Sequence, residues 1–427
     1  MLSTSSRFSG FYRKSIAERQ EILRQRYNLT ESELTLLSQG GLGADLANRL
    51  IENVVGTYSL PLGIAANFQI NGRDYVVPMA IEEPSVVAAA SHAAKLVRDA
   101  GGFTASADAP VMIGQVQVLD VGDPSTSSGQ RLDGARDRVL AARDEIIALA
   151  NSKSTLVEYG GGAIGLEVRL FRETRVGPML VVHLLFNVLD AMGANSVNTS
   201  CEVVAPLLAQ LTGGRVVLRI ISNLADRRLA RASGRVKCDA LGDEVVRNIV
   251  EAQVLAEVDP YRAATHNKGI MNGIDAVVMA TANDWRGAEA GAHSYAAHSG
   301  QYRALTRWDR DPANGDLVGS IELPIPSGII GGTTTAHPLA QLSLKILGVK
   351  TAQEFAGVLA SVGLAQNLGA LRALASEGIQ QGHMALHARQ IAIAAGASGD
   401  DIDRIADQLA HENNVRLSRA RELLGDK

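Results

Sequence analysis

The order of apolar runs between residues 109 and 221 constrains the fold more than any other feature of the chain. Four runs have the pattern and length of strands: 110–121, 164–171, 178–190 and 215–222. Two segments with apolar residues at helical spacing lie between them: 131–151 and 192–211. The resulting order, strand–helix–strand–strand–helix–strand, is the split βαβ or ferredoxin-like arrangement. We therefore expect a ferredoxin-like small domain at 109–221.

The N-terminal part is expected to be helical from residue 15 to residue 55. Thr30 and Glu33 have the spacing of a capping box, which marks a helix start. The segment 43–61 is predicted to continue as a helix that ends at a glycine. This part of the chain therefore supplies helices rather than sheet.

A hairpin is predicted where Asn71-Gly72 separates two alternating runs. A helix of small residues, 85–101, follows it, and Pro84 is expected in its first turn. Glu83 is therefore expected where a strand leads into a helix.

The fold class that follows is α+β. We expect a large mixed α/β substrate domain formed by 1–108 and 222–376, into which the ferredoxin-like domain is inserted. Two glycines interrupt the chain at 376–382, and charged helices follow them. We expect a C-terminal helical flap at 377–427.

Composition excludes several classes of protein. The formal charge of −4 lacks the basic character of a nucleic-acid-binding protein. The sequence contains no run of about 18 apolar residues, the length that a membrane span needs, and the N-terminus lacks the apolar core of a signal peptide. Two cysteines, Cys201 and Cys238, form neither a disulfide framework nor a zinc pattern. We expect a cytoplasmic protein without nucleic-acid or membrane partners.

Two candidate catalytic residues lie among small residues and amides. Glu83, in 82-EEPS-85, is a candidate acid, or alternatively a surface carboxylate stabilised by a helix dipole. Lys268, in 265-THNKGIMNG-273, has glycines that let a ligand approach the backbone, and could stabilise an oxyanion. The alternative is an ordinary solvated lysine.

Two further candidates have equally simple alternatives. Asp284 follows Lys268 across one apolar segment and could instead cap a helix or turn. His383 and His387 have the i, i+4 spacing of metal ligands, but no nearby Glu or Cys completes a site. We expect no metal, and proton transfer or a structural role for His383.

Several motifs in order along the chain carry a resemblance. They are 52-ENVVGT-57, 82-EEPS-85, 190-DAMGAN-195, 265-THNKGIMNG-273, 327-SGIIGGTT-334 and 375-ASEGIQQGHMAL-386. Together they resemble the 3-hydroxy-3-methylglutaryl-coenzyme A (HMG-CoA) reductase family, from about residue 15 to the C-terminus. The lack of a membrane anchor and the helical tail point to the soluble, bacterial-type class II branch.

The resemblance implies that two hydrides reduce the thioester of HMG-CoA to mevalonate and release coenzyme A. It assigns Lys268 to the oxyanion, Glu83 to proton donation to the aldehyde oxygen, and His383 to protonation of the thiolate. Asp284 is expected between Lys268 and Glu83, where it tunes both. A carboxyl at a helix start favours ionisation, so Glu83 needs burial or carboxylate neighbours to act as an acid.

The resemblance also implies the ligand contacts. HMG-contacting positions are Ser85, Arg262, Asn272 and Gln366. Positions that hold the nicotinamide cofactor are Asp190, Met192, Gly193 and Asn195. The DAMGAN segment would bind pyrophosphate through free helix amides, without a GxGxxG motif.

Cofactor choice depends on the position after the glycine run 160-GGGAIGLEV-168. NADH-using relatives have an acidic residue there, whereas this chain has Gly165, with Arg169 and Arg172 nearby. We therefore expect NADPH to be accepted and weakly favoured over NADH.

The family further implies a homodimer with active sites at its interface and assembly to hexamers, with 52-ENVVG-56 in a dimer segment. Two alternatives stay open: another acyl-CoA or aldehyde oxidoreductase of the same architecture, and a non-catalytic CoA-binding protein.

Overall fold

The computed structural model describes residues 5–122, 128–376 and 379–425, with no side chains described for 128 and 379–386. The first part of the chain comprises α1 (Ile16–Tyr27), α2 (Glu31–Gln39), α3 (Ala44–Leu50), β1 (Leu62–Ile70), β2 (Arg73–Ala80), α4 (Val86–Arg98) and β3 (Thr104–Ala107). The capping box of Thr30 and Glu33 is present at the start of α2. The predicted hairpin is also present, because Asn71 and Gly72 form a two-residue turn with φ of 50° and 78°.

Two local predictions for this part were wrong. The helix predicted for 43–61 ends at Leu50, and Ile51 is extended with φ −140° and ψ 164°. β-Branched residues have low helix propensity, and Val55 packs on nothing since its side chain is fully exposed. Pro84 lies outside α4, because Ser85 has φ 72° and separates the proline from the first helical residue.

The second part contains β4 (Val111–Leu119), α5 (Ser128–Ala141), α6 (Arg143–Asn151), β5 (Gly162–Phe171), β6 (Met179–Asn187), α7 (Ala194–Thr212) and β7 (Arg215–Ile221). Its antiparallel sheet has the order β5–β6–β4–β7, with the first and third strands of the motif adjacent at its centre. This is the ferredoxin-like order. The helix predicted as 131–151 is two helices, since Ala142 leaves helical geometry at φ −90° and ψ 15°.

The third part contains β8 (Leu229–Val236), α8 (Cys238–Leu241), α9 (Asp243–Val258), α10 (Pro260–Ala280), α11 (Trp285–Ala296), β9 (Thr306–Arg310), β10 (Leu317–Pro324), α12 (Gly332–Ala336), α13 (Pro338–Leu347) and α14 (Ala352–Ala375). A second antiparallel sheet has the order β3–β8–β10–β9. Helix α14 packs against α10, α4 and this sheet. Among the described helices it alone is long and apolar enough to cross a membrane, and 67% of its apolar window is buried inside the fold, as in a core helix.

The last part comprises α15 (Ile379–Ala394), α16 (Asp400–His411) and α17 (Leu417–Leu424). These helices have their own apolar cluster, which includes Ala388, Ile405, Leu409 and Ala420. Separate apolar clusters also lie within the ferredoxin-like part and around α14. The α+β fold class is thus present, while the predicted domain limits stay a prediction.

Candidate active site

Lys268 and Glu83 come together although 185 residues separate them in the chain. Lys268, on α10, donates from Nζ to Glu83 Oε2 at 2.5 Å. Asn272, one helical turn later, donates to Glu83 Oε1 at 3.1 Å. Both oxygens of the carboxylate are therefore held from one face of α10. The lysine side chain is 58% exposed, so it faces an opening rather than the core.

The backbone beside Glu83 is strained. Ser85 is the N-cap of α4 with φ 72°, and its side chain does not cap the helix. A left-handed non-glycine residue costs on the order of 1–3 kcal/mol and is commonly found at functional sites. The hydroxyl of Ser85 is thus available to a ligand next to Glu83.

Gln366, on α14, packs against α10 at Gly273. Its side chain is 5% exposed, and Oε1 is buried without a hydrogen-bond partner. Gly273 makes this approach possible, since a Cβ there would lie 2.8 Å from Gln366 Cβ. An unpaired buried acceptor costs about 1–3 kcal/mol, which a polar ligand would recover. Arg262, in the first turn of α10, is partly buried, and this burial lowers its pKa.

Lys268 and Glu83 contact each other directly, and the expected place of Asp284 between them stays a prediction. Asp284 is the N-cap of α11, where it accepts the amide of Gly287 at 3.1 Å. Arg286 Nη2 lies 3.6 Å from its carboxylate. The capping alternative therefore describes the observed contacts of Asp284. The other catalytic candidate, His383, has its side chain outside the described residues.

The DAMGAN segment forms the junction between β6 and α7. Gly193 is the N-cap of α7 with φ 100°, and a Cβ there would lie 2.2 Å from Val188 Cγ1. Only glycine satisfies both conditions without rearrangement. Asn195, in the first turn of α7, is exposed. The first amides of α7 are therefore presented by a turn that is fixed by packing.

The 327–330 loop holds this junction in place. Ile329 donates its amide to the Asp190 carbonyl at 2.8 Å, and Ala191 pairs with Ile330 in a parallel bridge. Asp190 Oδ1 accepts the amide of Ala352, at the start of α14, at 2.7 Å. The carboxylate of Asp190 thus has a structural partner in the fold.

Two residues that the sequence analysis did not identify also hold the DAMGAN junction and the 327–330 loop in place. Arg228, 4% exposed, donates to the carbonyls of Ala191, Met192 and Ser327, and burial lowers its pKa to about 10. Asn283 donates to and accepts from the Gly328 backbone at 3.0 and 2.9 Å. Asn283 could have been identified from the sequence, because it directly precedes the candidate Asp284. Arg228 could not, because it binds backbone carbonyls, which every residue has.

Gly165 lies in β5 at a register shift opposite Leu185. A Cβ there would lie 3.8 Å from Arg143 Nη2. Of the two arginines noted in the sequence, Arg172 is paired with Asp133 at 2.9 Å, and Arg169 lies over the ring of Phe171. Arg143 is therefore the cation beside Gly165, and its Nη1 is paired with Asp144 at 3.0 Å.

Metal-ligating residues do not cluster within the described part of the chain: no group of three or more His, Cys, Asp or Glu side chains there could hold an ion.

Comparison with known proteins gives the family. The sequence model described as hydroxymethylglutaryl-coenzyme A reductase matches residues 15–388. The 3-hydroxy-3-methylglutaryl-coenzyme A reductase of Archaeoglobus fulgidus is 53% identical over 98% of this chain and 94% of its own length. The chain belongs to the HMG-CoA reductase family. A probable reductase from Borreliella burgdorferi is 34% identical over 89% of this chain and 85% of its own length.

Solved structures agree with this membership. The reductase of Streptococcus pneumoniae has a TM-score of 0.82 at 39% identity, covering 98% of this chain and 99% of its own. A class II reductase from the same organism, bound to NADPH in open conformations, has a TM-score of 0.80 at 40% identity, covering 97% and 99%. The predicted class II membership and the α+β fold class are confirmed.

The reaction of this HMG-CoA reductase is the four-electron interconversion of HMG-CoA with mevalonate and coenzyme A. It uses two NAD(P)H and passes through the mevaldyl-CoA hemithioacetal and mevaldehyde. This result decides between the functions that the sequence left open, in favour of the reductase over another acyl-CoA oxidoreductase or a CoA-binding protein.

Proposed function

We propose that Lys268, Glu83 and Asn272 form the catalytic centre for HMG-CoA reduction, with NADPH as the favoured hydride donor. The observation that carries this proposal is the direct contact of Lys268 with Glu83, with Asn272 on the second carboxylate oxygen. A cation and an acid at one point are what reduction of a thioester carbonyl requires, since its oxygen first gains negative charge and later a proton.

Lys268 stabilises the negative charge that develops on the substrate oxygen. An ammonium group close to this oxygen is worth far more once bound substrate excludes water. Each NADPH, when bound, would supply one hydride, so the full reduction uses two NADPH molecules. Lys268 therefore exchanges its resting partner, Glu83, for the substrate oxygen.

Glu83 donates a proton to the aldehyde oxygen in the second reduction. In the resting arrangement its carboxyl group is paired with Lys268. Transfer of Lys268 to the substrate oxygen frees this carboxyl group to act on the aldehyde oxygen. His383 is assigned, by its match to the family motif, to protonation of the departing thiolate, and Asp284 to electrostatic tuning of the centre from the start of α11.

Ser85, Arg262 and Gln366 bind the HMG moiety in this proposal. The unpaired Oε1 of Gln366 accepts a hydrogen bond from the substrate, and Arg262 offers a cation to its carboxylate. Ser85 offers its hydroxyl from the strained start of α4. The three come from α4, α10 and α14, which packing holds together.

The DAMGAN junction binds the cofactor. The first amides of α7 have no helical partners, so with the helix dipole they favour pyrophosphate. Gly193 lets the cofactor approach the backbone, while Asn195 and Met192 line that approach. Asp190 contributes chiefly by holding the junction to α14. The residues present fit a dinucleotide.

Preference for NADPH follows from Gly165 and Arg143. Gly165 brings no carboxylate that would repel a 2′-phosphate, and the guanidinium group of Arg143 lies beside it. The S. pneumoniae relative was solved with NADPH bound.

We further propose a homodimer with the active site at its interface, assembling to a hexamer in the cytoplasm. The segment after α3 supports an interface, since Val55 and Tyr58 are 104% and 92% exposed. Sedimentation of the wild type and Val55→Asp tests this, and a wild-type monomer would contradict it.

Both cysteines are free thiols, as suits a reducing compartment.

The most direct test of the proposal compares steady-state rates with NADPH and NADH in both directions. We expect HMG-CoA-dependent oxidation of NADPH by the wild type and its loss in Lys268→Ala. A Lys268→Ala enzyme with wild-type rates, or a strong preference for NADH, would contradict the corresponding part of the proposal.

A further inference from the structure

One amide side chain joins the end of α10 to the loop that supports the DAMGAN junction. Asn283 Nδ2 donates to the carbonyl oxygen of Gly328 at 3.0 Å, and Asn283 Oδ1 accepts the amide of Gly328 at 2.9 Å. A carboxamide has both a donor and an acceptor, so it can bind both polar groups of one backbone residue. Asn283 therefore holds the 327–330 loop by its backbone.

Asn283 is itself fixed by the way in which α10 ends. The amide of Ala282 donates to the carbonyl of Met279 at 3.0 Å. The amide of Asn283 donates to the carbonyl of Val278 at 2.9 Å. With Ala282 left-handed at φ 51°, these two bonds form a Schellman motif. In addition, Asn283 Nδ2 donates to the hydroxyl of buried Thr281 at 3.1 Å. The amide is consequently held in one orientation relative to α10.

On its other side, Gly328 packs directly on the backbone of the DAMGAN junction. A Cβ at Gly328 would lie 2.5 Å from the amide nitrogen of Met192 and 2.8 Å from the carbonyl oxygen of Asp190. Only glycine allows two backbones to approach so closely. The same carbonyl of Asp190 accepts the amide of Ile329 at 2.8 Å. A displacement of Gly328 would therefore displace the start of the junction.

The start of α11 depends on the same anchor. Asp284 directly follows Asn283 and caps α11 by accepting the amide of Gly287. The end of α10, the start of α11 and the DAMGAN junction thus meet at Asn283, which touches the junction only through Gly328.

We propose that Asn283 is a positioning residue that fixes the DAMGAN junction relative to α10 and α11, and so orients the hydride donor toward the substrate. This inference rests on the proposed binding of the cofactor at that junction. Arg228 holds the junction separately, through the carbonyls of Ala191 and Met192, so the cofactor still binds without Asn283. Its alignment changes, and a displacement of about 1 Å can slow a reaction by about 10²-fold.

The kinetic test separates alignment from binding. In Asn283→Ala, with HMG-CoA and NADPH, we expect kcat to fall by at least about tenfold. The KM for NADPH should change by less than about threefold, because its binding groups remain. NADPH deuterated at the transferred position should give a larger isotope effect on kcat than in the wild type, as hydride transfer becomes the slow step. An unchanged kcat and isotope effect would overturn the inference.

A second test uses the ligand-free protein and needs no turnover. In Asn283→Ala, hydrogen exchange measured by mass spectrometry should be faster than in the wild type in two segments, 326–331 and 189–193. Asn283 does not contact the second segment, so faster exchange there reports the coupling through Gly328. Faster exchange confined to 326–331 would show that the junction does not depend on Asn283.

The chain offers a matched control at the β1–β2 turn. Asn71 binds both backbone groups of Ala105 in the same way, at 2.9 Å each. Because Asn71 has φ 50°, Asn71→Ala also adds backbone strain and should lower the unfolding midpoint at least as much. Its kcat and isotope effect should remain those of the wild type. An equal fall of kcat in both variants would mean a general loss of stability and would overturn the inference.

A milder pair of variants serves if Asn283→Ala does not fold. Asn283→Asp keeps the shape and the acceptor but cannot donate to the carbonyl of Gly328, and Asn71→Asp is its control. We expect the same separation between kcat and KM in this pair.

Failure of the proposed cofactor site would be recognised separately. An unchanged KM for NADPH in Gly193→Ala would refute binding at the DAMGAN junction. The exchange experiment would still decide whether Asn283 holds that junction in place, because it is performed without cofactor.

Discussion

The substrate side and the cofactor side of the site are built by different means. On the substrate side, Lys268 and Asn272 of α10 hold Glu83, which lies just before α4, and Gln366 of α14 has an unpaired buried acceptor. At the DAMGAN junction, the 327–330 loop and buried Arg228 fix backbone carbonyls and amides. Side-chain chemistry defines the first region, and backbone geometry defines the second. Substitutions should therefore damage the two regions in different ways.

The largest effect is expected on the substrate side. Lys268→Ala removes the only side chain assigned to the oxyanion, and loss of one such group costs about 10²- to 10³-fold in kcat. Binding of NADPH, followed by fluorescence titration, should be unchanged because the junction does not involve this lysine. Lys153→Ala, at an exposed position after α6, is the control with normal rates. A loss of NADPH affinity equal to the loss of rate would remove the distinction between the two regions.

On the cofactor side, Gly193→Ala should act through the backbone. The new methyl group meets Val188, and the left-handed conformation costs about 1–3 kcal/mol, which we expect as a lower unfolding midpoint. The KM for NADPH should rise by about tenfold, as the first amides of α7 shift. Gly177→Ala is a matched control, since Gly177 has φ 93° and no atom within 4 Å of the added Cβ. If both variants change KM equally, packing against Val188 does not position the junction.

A smaller effect is expected from adding a charge to the cofactor side. Gly165→Asp has room, because the nearest atom to the added Cβ is 3.6 Å away. Its carboxylate would repel a 2′-phosphate and accept ribose hydroxyls, shifting the NADPH to NADH ratio of kcat/KM by about tenfold, or about 1.4 kcal/mol. Gly165→Asn, with the same shape and no charge, should retain the wild-type ratio. An equal shift in both variants would point to shape rather than charge.

The smallest expected effect is a pH dependence of stability that arises from a buried histidine on α10, the helix that carries Lys268. His266, on α10, is buried against Thr306 and Asn367, and burial lowers its pKa to about 3. In the unfolded chain His266 binds a proton near pH 6.5, whereas in the folded protein it stays neutral to a much lower pH. The free energy of unfolding therefore decreases as pH drops below about 6.5. This histidine changes the free energy of unfolding by at most about 1.4 kcal/mol per pH unit. Urea midpoints of wild type and His266→Gln between pH 7 and 5 should differ in slope, and parallel curves would contradict this.

Sequence patterns were most informative where neighbouring residues decide the structure. The Asn71-Gly72 turn, the capping box at Thr30 and the ferredoxin-like strand order depend on local propensity and periodicity. The helix predicted for 43–61 ends at Leu50, and the β-branched residues Ile51 and Val55 that follow are exposed rather than packed. Propensity over that segment could not show the absence of a packing partner.

Candidate residues were found in the sequence by their unusual settings, but their partners were not. Lys268 and Glu83 were singled out separately, and nothing local indicated that they touch. Asp284 was expected between them; its observed contact is the cap of α11, and its catalytic place stays a prediction. Arg228 went unnoticed, because its role depends on burial and on contacts between elements.

The sequence by itself determined the family, the order of helices and strands, and the residue types that the chemistry requires, since these follow from motifs and short-range periodicity. Only the tertiary structure decided which carboxylate meets Lys268 and which arginine lies beside Gly165. Ionisation and contact depend on distances between segments far apart in the chain, and packing of α10 against α4, α11 and α14 sets those distances.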